Sequence, residues 1–253
     1  MTVKWSETED EAGHSTLEFV LERDGKRSVT GALWLPAETR EQTLVLFGHG
    51  ASGDRYQTPI SHMAGRFQKA GVPSLSIDGP VHGLRKVGDG ARGAFFEELQ
   101  REGHVEDMLE DWNLAIDLAL GREDVTVDGL AYFGLSMGSI YGIPLVASRT
   151  DFKVATLGLV GMSVDQPGGL EFLSAASKID VPLLFLTQLE DELFPREGCY
   201  AVFDAFASQD KRMHCNPGLH PEIPAEEIDF SFDFMLAHIE GRAERRIVNP
   251  LAE

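Results

Sequence analysis

The sequence has 253 residues, of which 43% are hydrophobic, and its 41 acidic and 22 basic residues give a formal net charge of −19. A chain of this length and composition can bury one large core, so we predict a single domain over residues 1–253. The negative charge argues against binding of nucleic acid or of anionic membranes, and no apolar run reaches the roughly 18 residues of a membrane span.

The first predicted elements are two alternating strands, 15–22 and 27–35, whose turn at Asp24-Gly25 indicates an antiparallel hairpin at a sheet edge. Further strands are predicted at 43–47, 72–77, 129–133, 154–160, 181–187 and 211–216, and helices at 58–70, 103–120, 139–148, 169–177, 197–208 and 224–240. Continuous apolar strands that alternate with helices predict a mostly parallel sheet with helices on both faces. The predicted fold class is therefore α/β, with about eight strands.

A sharp turn between a strand and a helix is predicted at Gly134-Leu135-Ser136-Met137-Gly138. The strand before it is short and apolar, and the segment after it suits a buried helix. A serine flanked in this way by two glycines is typical of a nucleophile elbow, which holds the hydroxyl clear of the sheet at a helix N-terminus. The alternative is an ordinary glycine-rich turn.

Asp191 and His220, which come later in the chain than Ser136, are candidates for the partners that a serine nucleophile needs. A serine hydroxyl requires a base within hydrogen-bond reach and a third group that orients the base. Asp191 directly follows the strand 181–187, and His220 lies in the loop before the last helix. Because the carboxyl ends of parallel strands face the ligand crevice, we predict Asp191 as the acid and His220 as the base. The alternatives for the acid are Asp165, Glu190 and Glu192.

The backbone near Ser136 and the loop after the strand 43–47 are predicted to form an oxyanion hole. One N–H donor is assigned to Met137, which follows the nucleophile, and the other to Ala51, with Gly50 as the one-residue alternative. His49 then positions the loop at the substrate site and is not a base. A phosphate-binding loop is the rival interpretation, but the segment lacks the Gly-Lys-Ser/Thr ending of such loops.

Five sequence features together resemble the α/β-hydrolase superfamily. They are Gly48-His49-Gly50, the segment Asp78-Gly79-Pro80-Val81-His82-Gly83, the elbow at Ser136, Asp191 and His220. The dienelactone-hydrolase-like branch of serine esterases fits best, over roughly residues 40–240, although dienelactone hydrolases proper carry cysteine where this chain has Ser136. The resemblance implies an α/β-hydrolase fold, a lightly covered crevice, hydrolysis of a small-molecule ester or related acyl group, and no metal or other cofactor.

The walls of the site are predicted from the loops at the same edge of the sheet. His82 is expected to be a wall residue that binds substrate rather than a second base, and Asp78 a structural anchor. Residues 161–180 are too few for a full cap domain, but 84–103 is long enough for a lid loop. Our hypothesis is that Phe95, Phe96 and Leu99 form an apolar flap over the acyl group. The alternative is a surface segment that packs its own aromatic rings.

The function that these features predict is a serine hydrolase that cleaves a small carboxylic ester or thioester through an acyl-enzyme. The same triad also suits a carbon–carbon bond hydrolase or an acyltransferase, and a non-catalytic binder on this scaffold is the alternative from another class. The polar, acidic N-terminus has no secretory signal, so the expected location is cytoplasmic. Pairing of sheet edges into a homodimer is a further expectation, for which the sequence holds no specific pattern.

Overall fold

The structure, a computed structural model, describes residues 1–88 and 91–244. The strands in this part of the chain are β1 (Thr2–Glu9), β2 (Ser15–Glu22), β3 (Val29–Leu35), β4 (Thr43–Gly48), β5 (Ser74–Ile77), β6 (Gly129–Leu135), β7 (Phe152–Gly158), β8 (Leu183–Gln188) and β9 (Lys211–Asn216). The helices are α1 (Thr58–Ala70), α2 (Ala91–Leu99), α3 (His104–Leu120), α4 (Met137–Ala147), α5 (Gly169–Ala176), α6 (Arg196–Ala205) and α7 (Ala225–Ile239), with a 3₁₀ turn at Gly83–Arg85.

The described strands form one sheet in the order β1-β2-β3-β5-β4-β6-β7-β8-β9. The six neighbouring strands β5, β4, β6, β7, β8 and β9 are parallel to one another. The strands β1, β2 and β3 add antiparallel pairs on the β5 side of the sheet. The chain passes from β4 to β5 on one side of β4, then crosses to β6 on the other. In such sheets a ligand crevice opens at this switch point, outside the carboxyl ends of the two strands. A binding site is therefore expected between the loops that follow β4 and β6.

Two apolar cores lie on opposite faces of the sheet, because alternate side chains of each strand point to opposite faces. In β4, Leu44 and Leu46 belong to one core, and Val45 and Phe47 belong to the other. Helices α3, α4, α5 and α6 pack on the first face, and α1 and α7 pack on the second. The α/β fold class is confirmed, with helices on both faces of a mostly parallel sheet.

The strand count is the first correction to the sequence-based prediction, because nine strands form where about eight were expected. The N-terminal segment pairs with β2 along the whole length of β1. Val3 and Trp5 are partly buried and pack on the core, and the Trp5 ring lies 5.3 Å from that of Phe19. Only Lys4 separates these two, and the rest of β1, from Ser6 to Glu9, is polar or acidic, so the alternation is too short to be recognised in the sequence. No helix in the described residues is long and apolar enough to cross a membrane.

The second correction concerns residues 84–103, which contain a helix where a loop was predicted, while their role as a lid stays a prediction. Most of this segment is regular, since it contains the end of the 3₁₀ turn and all of α2. Buried ion pairs attach it to the rest of the molecule. Arg85 binds Asp111 of α3, and Glu98 of α2 binds Arg27 of the β2–β3 turn at 3.1 Å. Residues 89 and 90 of the predicted lid lie outside the described residues.

Candidate active site

Ser136 occupies a strained turn between β6 and α4. Its φ of 58° and ψ of −120° fall outside the regions that residues with a Cβ ordinarily adopt, at a cost of about 1–3 kcal/mol. The flanking glycines make this turn sterically feasible. A Cβ on Gly138 would lie 2.2 Å from the carbonyl oxygen of Gly48, and one on Gly134 would lie 2.9 Å from the Gly138 backbone. Both glycines of the elbow are thus required by close backbone approach.

Hydrogen bonds from the neighbouring strand hold this turn in place. The Ser136 N–H donates to the Gly158 carbonyl at 2.9 Å. The buried Ser139 hydroxyl lies 2.7 Å from the carbonyl oxygen of Gly134 and accepts the Gly158 N–H at 2.8 Å. Sequence analysis missed Ser139, although a serine in the first turn of the helix after an elbow is a detectable signal. These contacts stabilise the strained serine from both sides.

The three residues predicted as nucleophile, base and acid lie together at the carboxyl edge of the sheet. His220 Nε2 lies 2.8 Å from Ser136 Oγ, and His220 Nδ1 lies 2.8 Å from Asp191 Oδ2. The other oxygen of Asp191 accepts the backbone N–H groups of Leu193 and Phe194 at 2.8 and 2.9 Å. The Asp191 carboxylate, with 1% of its side chain exposed, is thus held by directed donors, and 11% of the His220 side chain is exposed.

The acidic residues that compete with Asp191 in the sequence have other positions. Glu192 accepts the His220 backbone N–H at 2.8 Å, and Glu190 accepts that of Gly218 at 2.6 Å. These bonds join the loop after β8 to the loop that carries the imidazole. Asp165 is exposed, in the loop after β7. The two glutamates therefore support the histidine loop, a role that sequence analysis did not assign.

Backbone contacts distinguish the two candidates for the second oxyanion donor. The Gly50 N–H donates to the side-chain oxygen of Gln57 at 2.8 Å and is therefore engaged. The N–H groups of Ala51 and Met137 donate to no acceptor in the described part of the chain. Met137 is the first residue of α4, where an N–H has no partner within the helix. The contacts favour Ala51 over Gly50, and the roles of both donors stay predictions.

His49, predicted to position the loop at the substrate site, and His82, predicted to bind substrate, lie beneath the oxyanion loop. They are 2% and 1% exposed, and their rings pack edge to face with centroids 5.2 Å apart. Burial lowers the pKa of both, that of His49 to about 4, so neither is charged near neutral pH. Their rings contact the loop backbone, at the carbonyls of Gly50 and Ala51. That either ring binds substrate stays a prediction.

Phe95 and Phe96, predicted as parts of one flap, lie in different environments. Phe95 is 6% exposed and packs against His82 with ring centroids 5.5 Å apart, whereas Phe96 is 59% exposed. Adjacent residues of a helix point about 100° apart, which separates the two rings. Leu99 is partly buried against the same core as Phe95. A joint apolar flap is therefore not formed, and the alternative, a segment that packs one of its own aromatic rings inward, describes Phe95.

Asp78 is fully buried and anchors the loop after β5, as predicted. Its carboxylate accepts bonds from Thr30 Oγ1 at 2.6 Å, from Arg55 Nη1 at 2.8 Å and from the Leu84 N–H at 3.1 Å. Arg85 donates to its backbone carbonyl at 2.9 Å. The sequence did not reveal Arg55, which is 6% exposed and lies in the loop after β4. Through this pair the loops after β4 and β5 are fixed to each other.

Other reactive side chains give no second chemical centre in the described residues. Burial, reinforced by the charge of Asp191, raises the pKa of the Cys199 thiol, so the thiolate is disfavoured. Cys215 is exposed on β9. No group of three or more His, Cys, Asp and Glu side chains among residues 1–88 and 91–244 is arranged to hold a metal ion. The absence of a cofactor stays an expectation.

Comparison with solved structures identifies similar proteins over nearly the whole chain. An esterase described as novel and cold-adapted, from an Arctic intertidal metagenomic library, is 30% identical, covers 93% of this chain and 100% of its own, and has a TM-score of 0.76. An acetyl xylan esterase from Paenibacillus sp. R4 is 17% identical, over 95% of this chain and 89% of its own, with a TM-score of 0.69. A predicted CIB-like hydrolase from Thermoplasma acidophilum is 16% identical, over 92% of this chain and 98% of its own, with a TM-score of 0.61. Protein-family models and curated proteins give no match.

Proposed function

Because this chain belongs to the α/β-hydrolase superfamily, as a carboxylesterase-type enzyme, we propose that it hydrolyses small carboxylic esters or thioesters through an acyl-enzyme on Ser136. The observation that carries the proposal is the continuous chain of hydrogen bonds from Ser136 Oγ through His220 to Asp191, with both contacts at 2.8 Å. A hydroxyl, an imidazole and a buried carboxylate in this order form the arrangement that makes a serine nucleophilic.

In the first half of the proposed reaction, His220 Nε2 takes the Ser136 proton while Oγ attacks the ester carbonyl carbon. The carbonyl π electrons move to oxygen, and the N–H groups of Met137 and Ala51 stabilise the oxyanion. Asp191 holds Nδ1 protonated and stabilises the imidazolium that forms. When the tetrahedral intermediate collapses, His220 donates its proton to the departing alkoxide or thiolate.

In the second half, a water molecule replaces the alcohol or thiol that left. His220 accepts a proton from this water, whose oxygen attacks the acyl carbon of the ester to Ser136. Collapse of the second tetrahedral intermediate breaks the bond to Oγ, which recovers its proton from His220. The products are a carboxylic acid and free enzyme, so no oxidant, reductant or metal enters the balance.

The rim of the crevice favours an uncharged substrate. Glu190 and Glu192 flank Asp191, and Glu222 binds the Leu219 N–H beside His220 at 2.7 Å. Arg85 of the β5 loop is buried and bound to Asp111, and Arg196, whose Nη2 lies 3.5 Å from Glu190, offsets one of the three acidic charges but not all of them. A substrate carboxylate at this rim meets repulsion that is weakened only by solvent and salt. We expect kcat/KM for p-nitrophenyl acetate to exceed that for a p-nitrophenyl hemisuccinate, and the opposite ranking would contradict this substrate class.

A fluorophosphonate probe tests the proposed nucleophile directly. Wild-type protein should be labelled at Ser136, as located by mass spectrometry of its peptides, and should lose esterase activity in proportion to labelling. Ser136→Ala should be neither labelled nor active, while Ser139→Ala, which alters the nearby buried hydroxyl, should keep the labelling site if it folds. Labelling at another residue, or ester hydrolysis by Ser136→Ala at the wild-type rate, would overturn the proposal.

The same triad geometry also suits acyl transfer and carbon–carbon bond hydrolysis, so the test includes other substrates. A vinylogous diketone should be cleaved far more slowly than p-nitrophenyl acetate, and added methanol should divert only part of the acyl group. The dienelactone-hydrolase-like branch stays a prediction. Its test is the same substrate panel extended to a dienelactone, which the acidic rim is expected to disfavour because that substrate carries a carboxylate.

A further inference from the structure

We propose that His82 is a positioning residue that fixes the oxyanion loop by holding the carbonyl of Ala51, and that Phe95 of α2 keeps its ring in place. This inference rests on the proposed function, since it concerns the N–H groups that stabilise the oxyanion. It replaces the expectation that His82 and Phe95 contact substrate. The geometry that carries it is a stack of three rings, His49, His82 and Phe95, beneath the backbone of the loop.

Two consecutive carbonyls of the loop are held by two consecutive rings of this stack. His49 Nδ1 lies 2.8 Å from the Gly50 carbonyl oxygen, and His82 Nε2 lies 3.0 Å from that of Ala51. The C=O and N–H of a trans peptide point in opposite directions. Holding the Gly50 carbonyl inward therefore turns the Ala51 N–H outward, and holding the Ala51 carbonyl fixes the next peptide. The Gly53 N–H and Gln57 restrain the loop further, but among the described residues the Ala51 carbonyl itself is held by His82.

The direction of each hydrogen bond follows from the partners, because a carbonyl oxygen only accepts. His49 Nε2 accepts the Gly79 N–H at 2.8 Å, so its proton is on Nδ1 and points at Gly50. His82 must carry its proton on Nε2 to donate to Ala51. The other ring nitrogen of His82, Nδ1, is buried and has no partner in the described residues. The Ala51 carbonyl is thus the one hydrogen-bond partner that the His82 side chain has there.

The surroundings of His82 are built to prevent movement of the ring. Asp78, four residues earlier, is fixed by Thr30 and Arg55, and Arg85, three residues later, binds the Asp78 carbonyl. Phe95 of α2 packs edge to face against the His82 ring. Helix α2 is held in turn by the ion pairs of Glu98. A donor that is fixed before the reaction needs no reorganisation when the oxyanion forms. The segment predicted as a lid therefore acts on the site from behind the loop.

Three substitutions at position 82 separate hydrogen bonding from packing. In His82→Gln the amide nitrogen reaches about as far as imidazole Nε2, in His82→Asn the amide is too short, and in His82→Leu no donor remains. Removal of an oxyanion donor costs about 10²–10³-fold in kcat, so its displacement should cost about 10–100-fold. We expect this loss of kcat, with KM for p-nitrophenyl acetate little changed, in the Leu and Asn variants, and recovery to within about fivefold of wild type in the Gln variant.

Controls keep the outcomes distinct. His238→Leu removes a ring that packs on Phe234 in α7, away from the site, and should leave kcat unchanged. Thermal unfolding identifies any variant that does not fold. If His82→Leu does not fold, the comparison of His82→Gln with His82→Asn still tests the positioning role. Equal kcat in these two variants, or wild-type kcat in the folded Leu variant, would overturn the positioning role. Failure of the proposed function looks different, because wild-type protein would then resist fluorophosphonate labelling at Ser136.

Discussion

Replacing Asp191 by asparagine should inactivate the protein while leaving its fold intact. The carboxylate accepts two backbone N–H groups, from Leu193 and Phe194, on one oxygen and faces His220 with the other. An asparagine carbonyl can take over the two backbone bonds, and its NH₂ group then faces Nδ1. An imidazole that accepts at Nδ1 carries its proton on Nε2, pointing at the Ser136 hydroxyl. This tautomer cannot accept the serine proton.

The size of the effect follows from the cost of the opposite amide orientation. Turning the amide would place its NH₂ against two backbone donors and leave both unsatisfied, at about 1–3 kcal/mol each. The productive tautomer is therefore disfavoured by roughly 2–6 kcal/mol, or about 30-fold to 2 × 10⁴-fold in rate at 1.36 kcal/mol for each factor of ten. The assay is kcat/KM for p-nitrophenyl acetate, with Asp165→Asn as the matched control in an exposed loop. Retention of more than about a tenth of the wild-type activity by Asp191→Asn would refute the reasoning.

Three further predictions concern the elbow, the histidine loop and the ion pairs that Glu98 of α2 forms. Gly138→Ala places a Cβ 2.2 Å from a carbonyl oxygen of β4, so we expect a loss of about 1–3 kcal/mol or more in a urea unfolding experiment; unchanged stability would contradict the steric argument. Glu192→Ala frees the His220 backbone N–H and should lower kcat/KM about tenfold, whereas Glu192→Gln, which still accepts, should not. Burial raises the pKa of Glu98, but hydrogen bonds from two arginines hold it at about 2 against 4.5 for the free group. Its stabilisation, weakened by solvent around the two half-exposed arginines, is present above pH 4.5 and is lost as pH falls towards 2, a loss that Glu98→Gln should remove from the pH profile of stability.

The fold and the three triad positions could be predicted because each depends on local sequence. Ser136 is marked by its two glycines, Asp191 follows the buried strand β8, and His220 lies in the loop between the last strand and the last helix. Parallel strands bring their carboxyl ends to one edge, so residues far apart in sequence were expected to meet there. What local sequence could not show is the role of the two acidic residues on either side of Asp191. That depends on the turn after β8, where Glu190 and Glu192 point instead to the backbone of the histidine loop.

The environment of His82 and Phe95 could not be predicted, because it depends on contacts between distant segments. The glycine-rich sequence around α2 suggested an open loop at the crevice. The helix is held by Glu98, whose partner Arg27 lies 71 residues earlier in the chain. Arg85 is similarly bound to Asp111, 26 residues later. Such pairings have no periodicity that a single sequence shows, so burial of the two rings could be found only in the structure.

The distribution of charge explains how a chain with a net charge of −19 can stabilise a developing anion. The buried carboxylate behind the oxyanion loop, Asp78, is paired with Arg55 at 2.8 Å, so its field on the site is largely cancelled. The two rings between this ion pair and the loop are neutral, because burial lowers the pKa of His49 and His82. They act as fixed dipoles that do not change charge during the reaction. Asp191, a buried carboxylate with no arginine or lysine partner among the described residues, lies on the far side of His220, where in the proposed mechanism it stabilises the imidazolium rather than opposing the oxyanion.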